Sequence, residues 1–70
     1  MQNIRADIDA SVWQVHVEVG QRVSAGDELI ILESMKMEIP VVAASDGVVT
    51  LVAVAPGDTV NRGQTLVELQ

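Results

Sequence analysis

The sequence predicts an all-β fold with about eight short strands in two small antiparallel sheets, closed into a flattened barrel or sandwich. Three observations support this prediction. Apolar and polar residues alternate with the two-residue period of half-buried strands, turn signals containing glycine or proline recur at short intervals, and no capped apolar stripe of helical period is present. The core must be aliphatic, because the 70 residues include a single aromatic side chain.

Two stretches of the chain carry the same pattern. Residues 11–33, SVWQVHVEVGQRVSAGDELIILE, align with residues 48–70, VVTLVAVAPGDTVNRGQTLVELQ, at the offset of 37 that brings Gly20 onto Gly57. The alignment matches two pairs of glycines and six pairs of aliphatic residues. We interpret these stretches as two copies of one unit, related by a pseudo-twofold axis within a single domain that spans residues 1–70.

The first copy reads as strand, turn, turn and strand. Residues 14–19 alternate between polar residues and valines, which predicts a half-buried strand. Turn signals follow at 20–21 and 24–27, before the apolar run Leu29–Leu32. The second copy repeats this order, with turn signals at 56–58 and 61–64 and the apolar run Leu66–Leu69.

In two places of the first copy, apolar residues that also match the second copy lie three positions apart rather than two. They are Val12 and Val15, and Leu29 and Leu32. Strict alternation cannot place both members of a pair on one face of a strand. We therefore expect a bulge or a sheet corner in each of these segments.

Residues 33–47 belong to neither copy and contain Lys36, the only lysine of the chain. A two-residue hairpin loop at Met35-Lys36 gives the favoured register, because a one-residue slip would scatter the apolar residues onto both faces. The pairs would be Ser34 with Met37, Glu33 with Glu38, Leu32 with Ile39 and Ile30 with Val41. One face would then carry Ile30, Leu32, Ser34, Met37, Ile39 and Val41, which can bury, and the other would carry Glu33 and Glu38.

This hairpin breaks two local rules. Tight hairpin loops require positive φ angles, usually supplied by Asn-Gly, and Met35 and Lys36 would adopt them at a cost of roughly 1–2 kcal/mol per residue. Glu33 directly opposite Glu38 is also mildly destabilising. An isolated hairpin lysine is most often only solvated, and methionines most often fill cores. Conflicts of this kind nevertheless concentrate at functional sites, so the sequence predicts a site at Lys36.

The repeat also locates this tip within the domain. Adding the offset of 37 to positions 35–36 gives 72–73, just past residue 70, and subtracting it gives −2 and −1, just before residue 1. The symmetry mate of the hairpin is therefore the place where the chain ends meet. We expect Lys36 to project from one end of the domain, with both termini at the other.

The composition excludes several classes of function. A net charge of −6 and a pI near 4.3 oppose nucleic-acid binding. The absence of cysteine excludes a disulfide framework and a thiolate zinc site, and no metal site is expected. The longest apolar run, residues 48–56, is about half of a bilayer span, and the N-terminus lacks a signal-peptide segment. We therefore expect a cytoplasmic protein with no membrane partner.

No side chain suggests catalysis by the chain itself. His16, the only histidine, lies on the polar face of its predicted strand. Trp13 is expected to cap the core rather than to bind a ligand. Asp27, Asp46 and Asp58 stand beside turn glycines, which predicts ordinary roles in turns.

These features resemble the biotinyl domain of the biotin/lipoyl attachment family over nearly the whole chain. The matching motifs are Gly26-Asp27-Glu28-Leu29, Met35-Lys36-Met37 and Gly47-Val48-Val49. Ser34 stands where the family most often has alanine. The resemblance implies the barrel-sandwich hybrid or "hammerhead" fold, with the lysine hairpin at one end. There is no room upstream of Val12 for the "thumb" loop of some carrier subunits, so we expect a minimal stand-alone carrier or a fragment of one.

The resemblance also implies a function for the hairpin. Lys36 would be biotinylated by a biotin protein ligase, which joins the biotin carboxyl to the side-chain nitrogen. Met35 and Met37 would serve ligase recognition and positioning of the arm, and Glu33 and Glu38 are candidates for contact with the ligase. The domain would be a non-catalytic biotin carboxyl carrier serving a biotin carboxylase and a carboxyltransferase. Separately, the closed barrel expected from the strand pattern would have no exposed edges, which favours a monomer.

Two alternatives remain open. Lipoate on Lys36 would make the chain an acyl or aminomethyl carrier. Lipoyl domains usually place Asp before the lysine and Ala after it, so the two flanking methionines favour biotin. The second alternative is an unmodified domain that acts only as an interaction module.

Overall fold

A computed structural model describes residues 2–70 of the chain as two antiparallel sheets. The strand order is β1-β8-β6-β3 in the first, which we term the terminal sheet, and β5-β4-β2-β7 in the second, the hairpin sheet. The predicted all-β sandwich of eight strands is confirmed. The strands are β1 (Gln2–Arg5), β2 (Ala10–Val15), β3 (Arg22–Val23), β4 (Glu28–Ser34), β5 (Met37–Val42), β6 (Gly47–Val52), β7 (Thr59–Val60) and β8 (Thr65–Leu69).

Strand pairing repeats between the two sheets with the offset of 37 found in the sequence. Leu32 pairs with Ile39 in the hairpin sheet, and Leu69 pairs with Gln2 in the terminal sheet. Most of the other residue pairings of the hairpin sheet have counterparts that are related in the same way, such as Val12↔Leu32 and Val49↔Leu69, or Ala10↔Val60 and Val23↔Gly47. The pseudo-twofold relation is therefore confirmed in the backbone pairing.

The core lies between the two sheets and is aliphatic, as the composition requires. Its largest fully buried side chains come from both halves: Leu29, Ile30, Leu32, Val49, Val60, Leu66, Val67 and Leu69. Burying one such side chain contributes about 1.5–3 kcal/mol. A domain of this size has few core residues, so each of them carries a large share of the stability.

Irregular pairing occurs where the three-residue spacings predicted it. The register shifts between Val12 and Gln14, leaving Trp13 as an extra residue, and shifts again between Glu28 and Ile30. The corresponding shift in the terminal sheet leaves Thr50 unpaired. These bulges let a strand turn two core residues inward without strict alternation.

The predicted strand over residues 14–19 is wrong beyond Val15. β2 ends there, and the chain crosses from the hairpin sheet to the terminal sheet, where Gly20 N–H donates to the Val49 carbonyl at 2.8 Å. Val17 is 8% exposed because it points into the core during this crossing, whereas Val19 is 64% exposed. A crossover segment can thus imitate the alternation of a strand.

Aspartate side chains accept hydrogen bonds from the backbone of the turns, as expected for Asp27, Asp46 and Asp58. Asp27 accepts from Ser24 N–H at 2.8 Å, and Asp58 accepts from Ala55 N–H at 2.9 Å. Asp46 reaches across to Ala25 N–H at 2.8 Å. The symmetry mate of Asp46 is Asp9, which the sequence analysis did not single out and which accepts from Arg62 N–H at 2.7 Å.

The two sheets keep hydrogen-bonding edges. β1 and β3 border the terminal sheet, and β5 and β7 border the hairpin sheet. The predicted flattened barrel or sandwich is thus a pair of four-stranded sheets that pack face to face, and only the expected absence of edge strands is wrong. A monomer stays a prediction, now supported by edge protection: β3 and β7 have two residues each, and β5 contains Pro40. The described residues include no helix that could cross a membrane.

Candidate functional site

The tip of the β4–β5 hairpin has the geometry that the sequence predicted. Ser34 pairs with Met37 and Glu33 with Glu38, which leaves Met35 and Lys36 as a two-residue loop. Their φ angles are 53° and 65°, the only positive values at non-glycine residues among residues 2–70. Both residues lie in the left-handed region that side chains disfavour, so the tip stores conformational strain.

The side chains around the loop are open to solvent. Met35 is 91% exposed and Met37 is 63% exposed, and Lys36 between them is exposed as well. The expectation that Met37 begins the buried face is wrong. Core packing along this face begins only at Ile39, which packs against the buried cluster, so the hairpin continues past the end of the core and carries Met37 with it.

Two glutamates form the second pair of the ladder below the loop. Glu33 and Glu38 are Cα partners in the ladder, and both side chains are exposed. The predicted juxtaposition is therefore confirmed. Like charges held opposite each other on a ladder are mildly unfavourable. Glu33 and Glu38, which we term the acidic pair, thus place two negative charges close to the loop that carries the only lysine of the chain.

The chain ends occupy the position that the pseudo-twofold axis assigns to a second tip. Gln2 pairs with Leu69 as Ile39 pairs with Leu32. β5 continues from Ile39 to the loop, whereas the equivalent strand β1 lies at the N-terminus. Within residues 2–70, only the hairpin sheet has a loop at this position, and that loop carries the lysine.

The arrangement offers a primary amine for modification and little else. His16 Nε2 lies 2.7 Å from Gln14 Oε1, and His16 is exposed. No group of three His, Cys, Asp or Glu side chains that could hold a metal ion occurs in the described part of the chain. An exposed amine on a firmly paired hairpin suits acylation by another enzyme, because the nitrogen is accessible while the backbone at its root is held in place.

Trp13 is placed differently from the sequence expectation. It was expected to cap the core, but it is 46% exposed. The reason is the β2 bulge: Val12 faces the core and Trp13, the extra residue, turns to the outside of the hairpin sheet. Residues of a strand alternate between its two faces, so the residue after the buried Val12 is expected on the outer face. The sequence prediction missed this because it placed Trp13 at the start of the strand rather than within it.

Comparisons with known proteins agree with one another. The biotin/lipoyl family model, described as biotin-requiring enzyme, matches residues 3–69. A biotin/lipoyl attachment protein of Bacillus subtilis is 51% identical over 59 residues, which cover 84% of this chain and 81% of that protein. A biotinylated protein homolog of Mycobacterium leprae is 46% identical over 65 residues, covering 93% of this chain and 92% of that one. The urea carboxylase of Kluyveromyces lactis superposes with a TM-score of 0.92 at 30% identity, over 99% of this chain but only 6% of that much longer one.

Proposed function

Because the chain belongs to the biotin/lipoyl attachment family, we propose that it is a biotin carboxyl carrier with biotin attached covalently to Nζ of Lys36. One observation carries the proposal. The only lysine of the chain lies at an exposed, strained hairpin tip, between two exposed methionines. A tip selected for stability alone would have Asn-Gly at these positions.

Attachment requires an enzyme that the chain does not supply. A biotin protein ligase first activates the biotin carboxylate with ATP as a mixed anhydride with AMP, releasing pyrophosphate. Nζ of Lys36, having lost its extra proton, then attacks the carboxyl carbon, the bond to AMP breaks, and the resulting amide carries no charge. The formal net charge of the chain therefore changes from −6 to −7. Biotin, when bound, serves as the acceptor and donor of a carboxyl group at the sites of a biotin carboxylase and a carboxyltransferase.

The residues of the hairpin hold the root of the arm. The ladder from Glu28↔Val42 to Ser34↔Met37 fixes the backbone on both sides of the loop. The flexible part therefore begins at the Lys36 side chain. A tethered arm converts encounters between separate molecules into local ones with a high effective concentration. Met35 and Met37 offer apolar, adaptable contacts beside the amine.

Lipoate on Lys36 is the competing assignment, because the name of the Bacillus subtilis relative covers both cofactors. A lipoyl carrier would use the same exposed amine. The residues beside the amine favour biotin, since the tip reads Met35-Lys36-Met37 without the Asp and Ala that usually flank the lysine of lipoyl domains.

Intact-mass spectrometry of chain purified from its native host tests the proposal. We expect one biotinyl increment, located on Lys36 by peptide mapping. The increment should be absent from Lys36→Arg, which keeps the charge but offers no acylable amine. An unshifted mass in cells with active biotin ligase would refute the proposal, and a lipoyl increment would replace it with the competing assignment.

A further inference from the structure

The outer face of the hairpin sheet carries an apolar row of three residues, Trp13, Ile31 and Pro40. Ile31 is the Cα partner of Pro40 on one side and of Gln14 on the other, with Trp13 as the extra residue of the bulge. Ile31 is only 7% exposed, although it lies outside the core cluster. It is therefore covered on the outer face, where Trp13 and Pro40 are its apolar neighbours.

The terminal sheet provides an internal control for this row. The offset of 37 pairs Trp13 with Thr50, Ile31 with Glu68 and Pro40 with Asn3, and the same bulge and the same register connect those three residues. The same strand geometry thus forms with polar residues at all three positions. Folding does not explain the apolar row, and the only aromatic side chain of the molecule lies in it, 46% exposed.

The apolar row is continuous with the acceptor hairpin. Pro40 lies four residues along β5 from Lys36, which is about 13 Å at the usual strand rise. Glu33 and Glu38 lie between the row and the tip, two residues from Ile31 and Pro40 on the same outer face. A protein that covers this face meets an apolar patch, then two carboxylates, then the amine.

We propose that the apolar row of Trp13, Ile31 and Pro40 is a docking surface for the biotin protein ligase that modifies Lys36, a proposal that rests on the function given above. The matching surface of the ligase would be an apolar socket for the indole, bordered by Lys or Arg side chains that face Glu33 and Glu38. The acidic pair and the net charge of −6 attract such a basic rim.

Two considerations favour the ligase over the enzymes that act on the attached group. The ligase must hold Nζ itself in its active site, so its surface lies against the tip and the adjoining sheet, whereas an enzyme acting at the far end of the arm is separated from the sheet by the length of that arm. A stable interface also buries about 800 Å² on each partner, more than a two-residue loop offers, so the contact must extend along the hairpin sheet.

Steady-state kinetics with the host ligase, biotin and ATP test the proposal. Exposed tryptophans that enter a socket are typical hot spots, so Trp13→Thr should lower kcat/KM at least about ten-fold, mainly through KM. Pro40→Asn should lower it in the same direction. The matched control is Thr50→Trp, the equivalent position on the terminal sheet, which should leave kcat/KM unchanged. Circular dichroism verifies that each variant is folded.

A direct readout uses the single tryptophan. Chain labelled with 5-fluorotryptophan gives one ¹⁹F signal, and its H₂O/D₂O solvent isotope shift should disappear when ligase binds. In Thr50→Trp labelled in the same way, which keeps Trp13, the additional signal from position 50 should keep its isotope shift in the complex. If label 13 stays solvated in the complex, or if Trp13→Thr is biotinylated at the wild-type rate, the docking surface is wrong. If the wild-type chain itself accepts no biotin on Lys36, the proposed function fails instead.

Discussion

Replacing Lys36 by glycine should stabilise the domain, whereas replacing it by alanine should not. Lys36 has a φ of 65°, a region that costs a side-chain-bearing residue about 1–2 kcal/mol. Glycine adopts this region freely but gives the unfolded chain more freedom, which offsets about 0.5–1 kcal/mol. Alanine removes the amine as glycine does and keeps the conformational cost. The free energy of unfolding of Lys36→Gly should therefore exceed that of Lys36→Ala by about 1 kcal/mol.

Urea unfolding followed by circular dichroism measures this difference. A chain this small has an m-value near 1 kcal/mol/M, so the midpoint of Lys36→Gly should lie about 1 M above that of Lys36→Ala. The melting temperature should rise by about 4–8 °C. Both variants lack the acceptor nitrogen and should carry no biotin, so the comparison is free of any effect of the modification.

A control at an ordinary backbone position separates strain from the general effect of glycine. Ala44 is exposed and is not among the residues with positive φ, so Ala44→Gly should lower the midpoint. Equal midpoints for Lys36→Gly and Lys36→Ala, or a higher midpoint for alanine, would show that the tip stores no strain. The inference from rule-breaking to function would then lose its physical basis.

Two further predictions concern the acidic pair, Glu33 and Glu38, and the core. Glu38→Arg replaces a like-charge pair by an ion pair with Glu33, which should raise the free energy of unfolding by about 0.2–1 kcal/mol; an unchanged or lower urea midpoint at low salt would contradict it. Leu29 and Leu66 are symmetry mates at 0% exposure, so Leu29→Ala and Leu66→Ala should each cost about 2–5 kcal/mol. Calorimetric melting temperatures for the two should fall by similar amounts, and a large fall in only one would show that the halves do not share the core equally.

The sequence predicted the hairpin in detail because apolar and polar residues alternate on both sides of Met35-Lys36. This alternation permits one register, and that register is the one observed. Alternation could not tell where the core ends, however. Met37 is on the correct side of the strand for burial, yet it is exposed because the opposite sheet does not extend that far.

The wrong prediction for residues 16–19 has a similar cause. Alternation of apolar and polar residues does not specify which sheet a segment belongs to. Residues 16–19 alternate like a strand while the chain passes from one sheet to the other, and Val17 is buried during that passage. Trp13 was expected to cap the core because it lies near the start of a strand. Alternation from the buried Val12 places Trp13 on the outer face instead, and the bulge there agrees with the three-residue spacing of Val12 and Val15.

The exchange of strands between halves has a consequence for how this domain folds. The short strand β7, residues 59–60, completes the sheet that holds the hairpin, and the equally short β3, residues 22–23, completes the other. Most close residue pairs lie at least 12 positions apart in sequence, so long loops must close before their contacts stabilise the chain, and such topologies fold in milliseconds to seconds. Neither half can reach its structure first. On the ribosome the β4–β5 hairpin is synthesised before β7, so the sheet beneath Lys36 can be completed only after residues 59–60 have been made.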